Sequence, residues 1–425
     1  MKSSDIHVGA WNGVSGAKTL LDLKAEFEQS SGIKVTYECL SEADLWTATA
    51  GDLENRTGKY DCFLTATDFL AAQAKMKQIE SLEPFIKQHG DEKELAFDDI
   101  LEKFRGMLKH EGAYYMLPLY GETSFLFYRT DLYEKYGLRE PRNTDELWDN
   151  AKTIYEGEKG EVYGIVLRGK PGSGDNIYNW TPFLRAFGGK YFKDFPRDLT
   201  PTLDTDEAIN SVKFYSELIK SFGPPSAADH SWGENIPLLQ KGQAAQTLEA
   251  TLLFGTVYKN QDSKYPENWK ASLTPTAPGY RFEDVKPVDI FVCTWAINAI
   301  VSEERKAGSF RWIQWASSPS TMKEMCSREY LFRGGPPRRS ILEHPALKDE
   351  KDVWIDAFVK SVEVADVNVR PKMKEWPEIG DSCGVHLQQA ISGKMSPEAA
   401  CKRMQETVTA IVKREGYPPW GKKLV

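Results

Sequence analysis

The chain has 425 residues, of which 41% are hydrophobic and 27% charged, and a net charge of −8 with acidic and basic residues mixed along its length. That length is too great for one ordinary core and argues for two domains. The charge balance excludes an extended nucleic-acid footprint, which needs a basic face, and the longest apolar run, 290–297 interrupted by Thr294, falls far short of the ~20 residues of a membrane-spanning helix.

In chain order, Met1-Lys2-Ser3-Ser4 carries no apolar export segment and runs into a strand over 6–11, ended by Asn12-Gly13. Ala17, Leu20, Leu23 and Phe27 recur at spacings of three and four, which predicts a helix with one apolar face, closed by Gly32. A strand over 33–38, a helix over 41–53 and a strand over 60–65 follow. The alternation implies parallel pairing with right-handed crossovers. Open sheets of this kind bind ligands beyond the carboxyl ends of their strands, which singles out Trp11-Asn12-Gly13, Ser41-Glu42 and Thr65 to Asp68. Residues 112–115 lead into Met116-Leu117-Pro118, with Pro118 expected at a strand end or edge. Gly121-Glu122 is expected to break the strand before a second β run over 124–128. Two strands joined by a polar break, with no helix, look like a passage between two lobes.

Beyond it, Asn143 is placed as N-cap of a helix with Glu146 three residues on. A strand is expected over 163–168, then a Gly/Pro loop, and a helix opening at Tyr178-Asn179-Trp180-Thr181-Pro182 and ending at Gly188-Gly189. Residues 206–219 form an amphipathic helix. Residues 238–249 read as helix, glycine stop and short strand. The most apolar strand spans 288–298, with helices over 303–315 and from Ser320. Residues 332–340 make a rigid loop, and Ser396-Pro397 starts a last helix with proline at its first position.

Chemical motifs are few. No P-loop GK[ST], no G-x-S-x-G and no strand-coupled G-x-G-x-x-G is present, and His110-Glu111 lacks the second His of a zincin. Cys39, Cys62, Cys293, Cys326, Cys383 and Cys401 lie too far apart for CxxC chemistry or a close-spaced zinc motif. Reduced buried thiols and incidental disulfides both remain open. No catalytic residue, metal site or cofactor is expected.

Four stretches in order carry a resemblance: 61–68; 117–132, with its Leu117-Pro118-Leu119-Tyr120-Gly121-Glu122 core; 286–298; and the C-terminal set Arg370-Pro371, Trp376-Pro377-Glu378-Ile379 and 393–400. Together the chain resembles the family 1 periplasmic solute-binding proteins of ABC importers, the branch that includes maltose-binding protein. The resemblance implies an α/β protein with the two-lobed periplasmic-binding-protein fold (type II). Each lobe would be a mostly parallel sheet flanked by helices, with hinge closure over a ligand cleft between lobes. Lobe 1 would be 1–121 plus 287–330 and lobe 2 would be 122–286 plus 331–425. It implies a monomer without enzymatic activity that binds a carbohydrate or polyol and delivers it to importer permease subunits. The location it implies is the periplasm, the export signal having been removed.

A sugar site needs aromatic faces for C–H surfaces and polar side chains for hydroxyls, since a buried hydroxyl without a partner costs ~1–3 kcal/mol. The family pattern puts the carboxylate of Asp68 at the ligand, although an Asp there equally caps a helix starting at Phe69. Trp11 and Asn12, Ser41 and Glu42, and Thr65 end the first three strands. Tyr120 and Gly121 lie at the passage, Tyr178 matches an aromatic facing ligand, and Trp232 stands in a polar loop. Thr294 and Trp295 fall where the family has contacts, with core packing as the other role for Trp295. Arg333, Gly334, Gly335 and Arg338 form a basic, glycine-bearing loop suited to an oxygen-rich or anionic ligand, or a solvated turn. Ala250-Thr251-Leu252-Leu253-Phe254 replaces the Trp that maltose-type members carry, so Glu249 is expected to give a polar contact and the ligand to be a mono- or disaccharide, polyol or glycoside. The alternatives are an anionic sugar, phosphorylated polyol or polyamine on the same fold, and a thiaminase-like enzyme, which would need a reactive nucleophile such as Cys62 or Cys293.

Overall fold

The computed structural model describes residues 5–12, 17–328 and 335–423, the side chain of Glu42 excepted. Two compact units emerge. Unit 1 is Met1–Glu122 with Phe291–Asp349, and unit 2 is Thr123–Ile290 with Glu350–Val425, so the chain passes between them three times.

In unit 1 the strands run in the order Val35–Leu40, Ile6–Trp11, Cys62–Ala66, Ile290–Ile297 and the first part of Leu117–Arg129. The first three are parallel, with Ile6 opposite Val35 and Val8 opposite Cys62, because the helices Ala17–Ser31 and Glu42–Asn55 return the chain to the same end of the sheet each time. Ile290–Ile297 joins antiparallel, with Cys293 opposite Ala66. The expected apolar stripe of the first helix is buried at Leu20, Leu23 and Phe27, and Phe27 meets the edge of Trp312 at 5.0 Å between ring centroids. Burying a ring of this kind contributes ~1.5–3 kcal/mol. Asp52 fixes the turn into the third strand: it accepts from the N–H groups of Lys59 at 2.9 Å and Tyr60 at 3.0 Å and from Asn298 Nδ2 at 3.1 Å. That set spends the carboxylate on structure.

Unit 2 pairs its strands antiparallel. The later part of Leu117–Arg129 lies between Gln246–Ala250 and Trp269–Ser272, with Leu126 opposite Leu248 on one side and Ser272 on the other. Against this ladder pack the helices Asn176–Ala186, Asp206–Phe222, Trp376–Ile391 and Pro397–Arg414. Their apolar faces share one core that includes Trp180, Phe183, Val212, Tyr215, Leu387, Met404 and Val408. The capping signals hold: Asn143 Oδ1 accepts from Glu146 N at 2.9 Å and Ser396 Oγ from Ala399 N at 3.2 Å.

Several expectations need correction. No break occurs at Gly121-Glu122, where Leu117–Arg129 runs as one strand buried throughout. Gly121 serves packing instead: a Cβ there would stand 2.6 Å from the Phe104 ring, so the missing side chain lets that ring lie against the strand. Residues 163–168 are extended but form only a single parallel bridge, Tyr163 to Ala244. The helix expected to open at Tyr178 opens two residues earlier, spanning Asn176–Ala186 with Pro182 inside it. Residues 335–349 group with unit 1 and not with the second lobe. The buried Arg338 guanidinium holds them there, donating to Ser317 O at 2.7 Å, Leu95 O at 3.0 Å and Ala96 O at 2.9 Å.

Candidate functional site

Each unit carries one face with the chemistry of a small-molecule site. In unit 1 it is a row of rings. Trp11, the last residue of its strand, meets Trp46 edge-on at 4.9 Å and Tyr120 at 6.5 Å. Trp46 continues to Phe69 at 5.2 Å, and Tyr120 to Phe291 at 6.5 Å. Trp11 and Tyr120 are buried, whereas Trp46, Phe69 and Phe291 are half-buried and keep part of their ring surface open. Asp68 is half-buried beside Phe69 in a short 3-10 turn. The sheet builds this row because strand ends one and three, together with the crossing strand, bring residues far apart in sequence to neighbouring positions. Trp46, Phe69 and Phe291 were missed from sequence. The signal for Trp46 was a large ring on an otherwise polar helix surface.

The other expected residues of unit 1 are engaged in structure. Ser41 is exposed and is the N-cap of its helix, its Oγ accepting from Asp44 N at 3.2 Å. Asn12 is exposed, its N–H donating to Leu40 O at 2.6 Å. Thr65 is buried with its hydroxyl donating to Gln73 Oε1 at 3.3 Å, and Thr294 Oγ1 donates to Thr65 O at 3.4 Å. Trp295 is core, edge-on to Trp312 at 6.3 Å. Gly335 is buried and accepts from Gly121 N at 2.9 Å. Arg338 is fully buried, its charge opposed by desolvation and supported by Asp99 3.7 Å away. The side chain of Glu42, and Arg333 and Gly334, lie outside the described residues.

The face of unit 2 is polar and centred on Tyr178. Its ring is flanked by two guanidinium groups, Arg168 with Cζ 5.0 Å and Arg370 with Cζ 5.2 Å from the centroid. Both arginines are buried, and each has a buried carboxylate of its own. Arg168 Nε donates to Glu249 Oε2 at 2.8 Å and its Nη2 to Glu249 Oε1. Arg370 Nε stands 2.9 Å from both carboxylate oxygens of Asp289. Burial works against the Arg168 charge, but Glu249 outweighs it and holds the guanidinium well above its ordinary pKa. The half-buried Asp175 carboxyl is pushed up by burial, with Arg168 opposing. Asn179 Oδ1 accepts from Arg168 N at 3.0 Å, and the single Tyr215 hydroxyl proton is shared between Arg168 O at 2.7 Å and Asn179 Oδ1 at 3.0 Å.

Of the residues expected from sequence, Tyr178 and Glu249 both neighbour Arg168. The structure adds Arg168, Asp289 and Arg370, which sequence reading did not single out as site residues. Trp232 is half-buried at the first position of the helix Trp232–Gln240, which is held by a capping box of Ser231 and Glu234. In chemical terms unit 2 offers matched charges and an aromatic ring, and unit 1 offers ring faces. Among the described residues no group of three or more His, Cys, Asp or Glu is arranged to hold a metal ion.

The family model for bacterial extracellular solute-binding proteins matches residues 10–323. A mannitol-binding protein of Pseudomonas aeruginosa is 27% identical over 415 residues, covering 93% of this chain and 90% of that protein. An erythritol/L-threitol-binding protein of Mycolicibacterium smegmatis is 21% identical over 401 residues, covering 87% of this chain and 78% of that one. Among solved structures, an ABC transporter solute-binding protein of Agrobacterium vitis with bound D-mannitol superposes with a TM-score of 0.84 at 25% identity, over 98% of this chain and 100% of that one. On the match of the family model to most of its length, this chain belongs to the bacterial extracellular solute-binding protein family.

Proposed function

We propose that this protein is the binding component of an ABC importer and captures a polyol or small sugar for delivery to the importer's permease, as a receptor and not an enzyme. One observation carries the reading: the Tyr178 ring with two buried, carboxylate-paired arginines at 5.0 and 5.2 Å from its centroid. Such a cluster sets charged donors and acceptors beside an aromatic ring suited to C–H surface. Support comes from the mannitol-binding relative and from the structural neighbour that holds D-mannitol. The rings of unit 1 and the polar frame of unit 2 are the proposed contact residues, with Trp11, Trp46, Asp68, Tyr120, Tyr178 and Glu249 foremost. Membership in an extracellular family supports the periplasm as its place of work.

The other ligand classes receive less support. The argument for an anionic sugar rested on the basic loop, and Arg338 spends its guanidinium on main-chain carbonyls inside unit 1. A nucleophilic enzyme would need an activated thiolate, yet Cys62 is fully buried and its thiol is pushed well up by that burial. Thermal unfolding against mannitol, ribitol, monosaccharides, disaccharides, sugar acids and polyamines tests the proposal. A ligand at 100 times its Kd adds ~2.7 kcal/mol of stability. A shift with polyols or small sugars is the expected result. A shift confined to acids or amines, or a flat panel on protein refolded free of carried-over ligand, refutes it.

A further inference from the structure

Two carboxylates act on Arg168, and they are built for different tasks. Glu249 is spent on the protein: its oxygens accept from Arg168 Nε at 2.8 Å, from Arg168 Nη2 and from Ala250 N at 2.7 Å. Asp175 stands immediately before the helix Asn176–Ala186, where a carboxylate ordinarily accepts from the first N–H groups of the helix, yet its side chain makes no such cap. Among the described residues no hydrogen-bond donor meets its oxygens; burial weighs against its charge, and Arg168 is the first group that supports it, through space. Its main chain, by contrast, is fixed. Asp175 N donates to Gly172 O at 3.1 Å, and Asp175 O accepts from Asn179 N at 3.2 Å. The turn ahead of it is held by Arg168 Nη1 on Gly174 O at 2.7 Å and by Ser173 N on Asp381 Oδ1 at 2.8 Å. Asn176, next in the chain, is buried and clamps Gly169 O at 3.1 Å and Gly384 O at 2.8 Å. Asp175 is thus a half-buried acceptor on a rigid mount, three residues before Tyr178, and both border the same guanidinium.

We propose that Asp175 is the residue of the unit 2 face that accepts a ligand hydroxyl directly, with Glu249 acting behind it by holding Arg168. The inference rests on the polyol and sugar reading given above and names the acceptor within it. A half-buried carboxylate without a protein donor is incompletely hydrated, so a hydroxyl placed against it supplies a bond that the protein withholds, and a bond to a charged acceptor is stronger than one between neutral groups. Because main-chain bonds already fix the mount, little ordering is needed when the ligand arrives. The bond joins one carboxylate to a particular hydroxyl. Removing the carboxylate and removing that hydroxyl are therefore not additive, whereas a residue that only shapes the face gives additive losses.

The test is calorimetric titration of the parent protein, Asp175→Ala and Asp175→Asn with D-mannitol, ribitol and D-glucose and with the single-deoxy forms of each. In Asp175→Ala the Kd for whichever of the three the parent binds rises about tenfold or more, a loss of about 1.4 kcal/mol or more. For at least one deoxy form, the one that lacks the hydroxyl held by the carboxylate, Asp175→Ala binds as the parent does, while the remaining deoxy forms keep the loss. An equal loss on every deoxy form means that Asp175 shapes the face without touching a hydroxyl, and an unchanged Kd means that it does not meet the ligand. Either result overturns the inference and leaves the receptor reading standing. Should Asp175→Ala not fold, the same comparison in Asp175→Asn decides: a loss that vanishes for one deoxy form supports the inference, and a loss equal across all of them, or none, overturns it. A parent that binds none of the three defeats the polyol and sugar reading and this inference with it.

Discussion

Arg168 and Glu249, 81 residues apart in the chain, meet inside unit 2 with Nε 2.8 Å from Oε2. Neither has water to fall back on, since both are buried. Removing one partner of such a pair strands the other charge. Glu249→Leu is therefore expected to cost ~3–5 kcal/mol of stability, while the double substitution Arg168→Met/Glu249→Leu costs much less than twice that. Urea unfolding of the two variants and the parent measures both numbers.

Arg338 makes the same point for unit 1, where its guanidinium serves three carbonyls. Arg338→Met leaves those acceptors unpaired, and bonds to a charged donor contribute ~1.5–3 kcal/mol each. A melting temperature lower by several degrees is expected, with the affinity of the folded variant for whichever polyol or sugar stabilises the parent unchanged. A large loss of affinity at unchanged stability would return Arg338 to the ligand.

Tyr417 is buried, and its hydroxyl donates to Glu375 Oε2 at 2.7 Å. Burial first, and then the neighbouring carboxylate, push its pKa from 10.0 up to about 12. Between those values the unfolded chain has released this proton and the folded chain still holds it, so stability falls as pH rises through the window. Tyr417→Phe is expected to lose less stability than the parent between pH 10 and about 12. Paired denaturation curves across that range decide it.

The cysteines give a simple accessibility test. Cys62, Cys293, Cys326, Cys383 and Cys401 are buried and Cys39 is half-buried, and no disulfide joins any two of them. Maleimide labelling of the native protein should modify Cys39 slowly and the other five only after unfolding. Rapid, ligand-protected labelling of Cys62 or Cys293 would revive the enzymatic alternative.

Local pattern made much of the fold readable. The stripe Leu20, Leu23, Phe27, the caps at Asn143 and Ser396 and the strand-helix alternation of the first 66 residues are short-range signals, decided within a turn or two of chain. Such signals also carried the resemblance and hence the family. Two errors share one cause. Gly121 looks like a breaker until Phe104 is seen to need its space, and residues 163–168 look like a strand until their neighbours are seen to supply only one bridge.

The site divides along the same line. Sequence alone put a ring at the end of the first strand, Trp11, because position within an element is a local property; Tyr178 and Glu249 came from the family resemblance as expected contacts. Only the tertiary structure decided which charges are matched. Arg370 and Asp289 are 81 residues apart, and nothing in either neighbourhood marks the other. Burial fixes their meaning: in water each is an ordinary surface charge, whereas desolvated side by side they form an ion pair beside Tyr178.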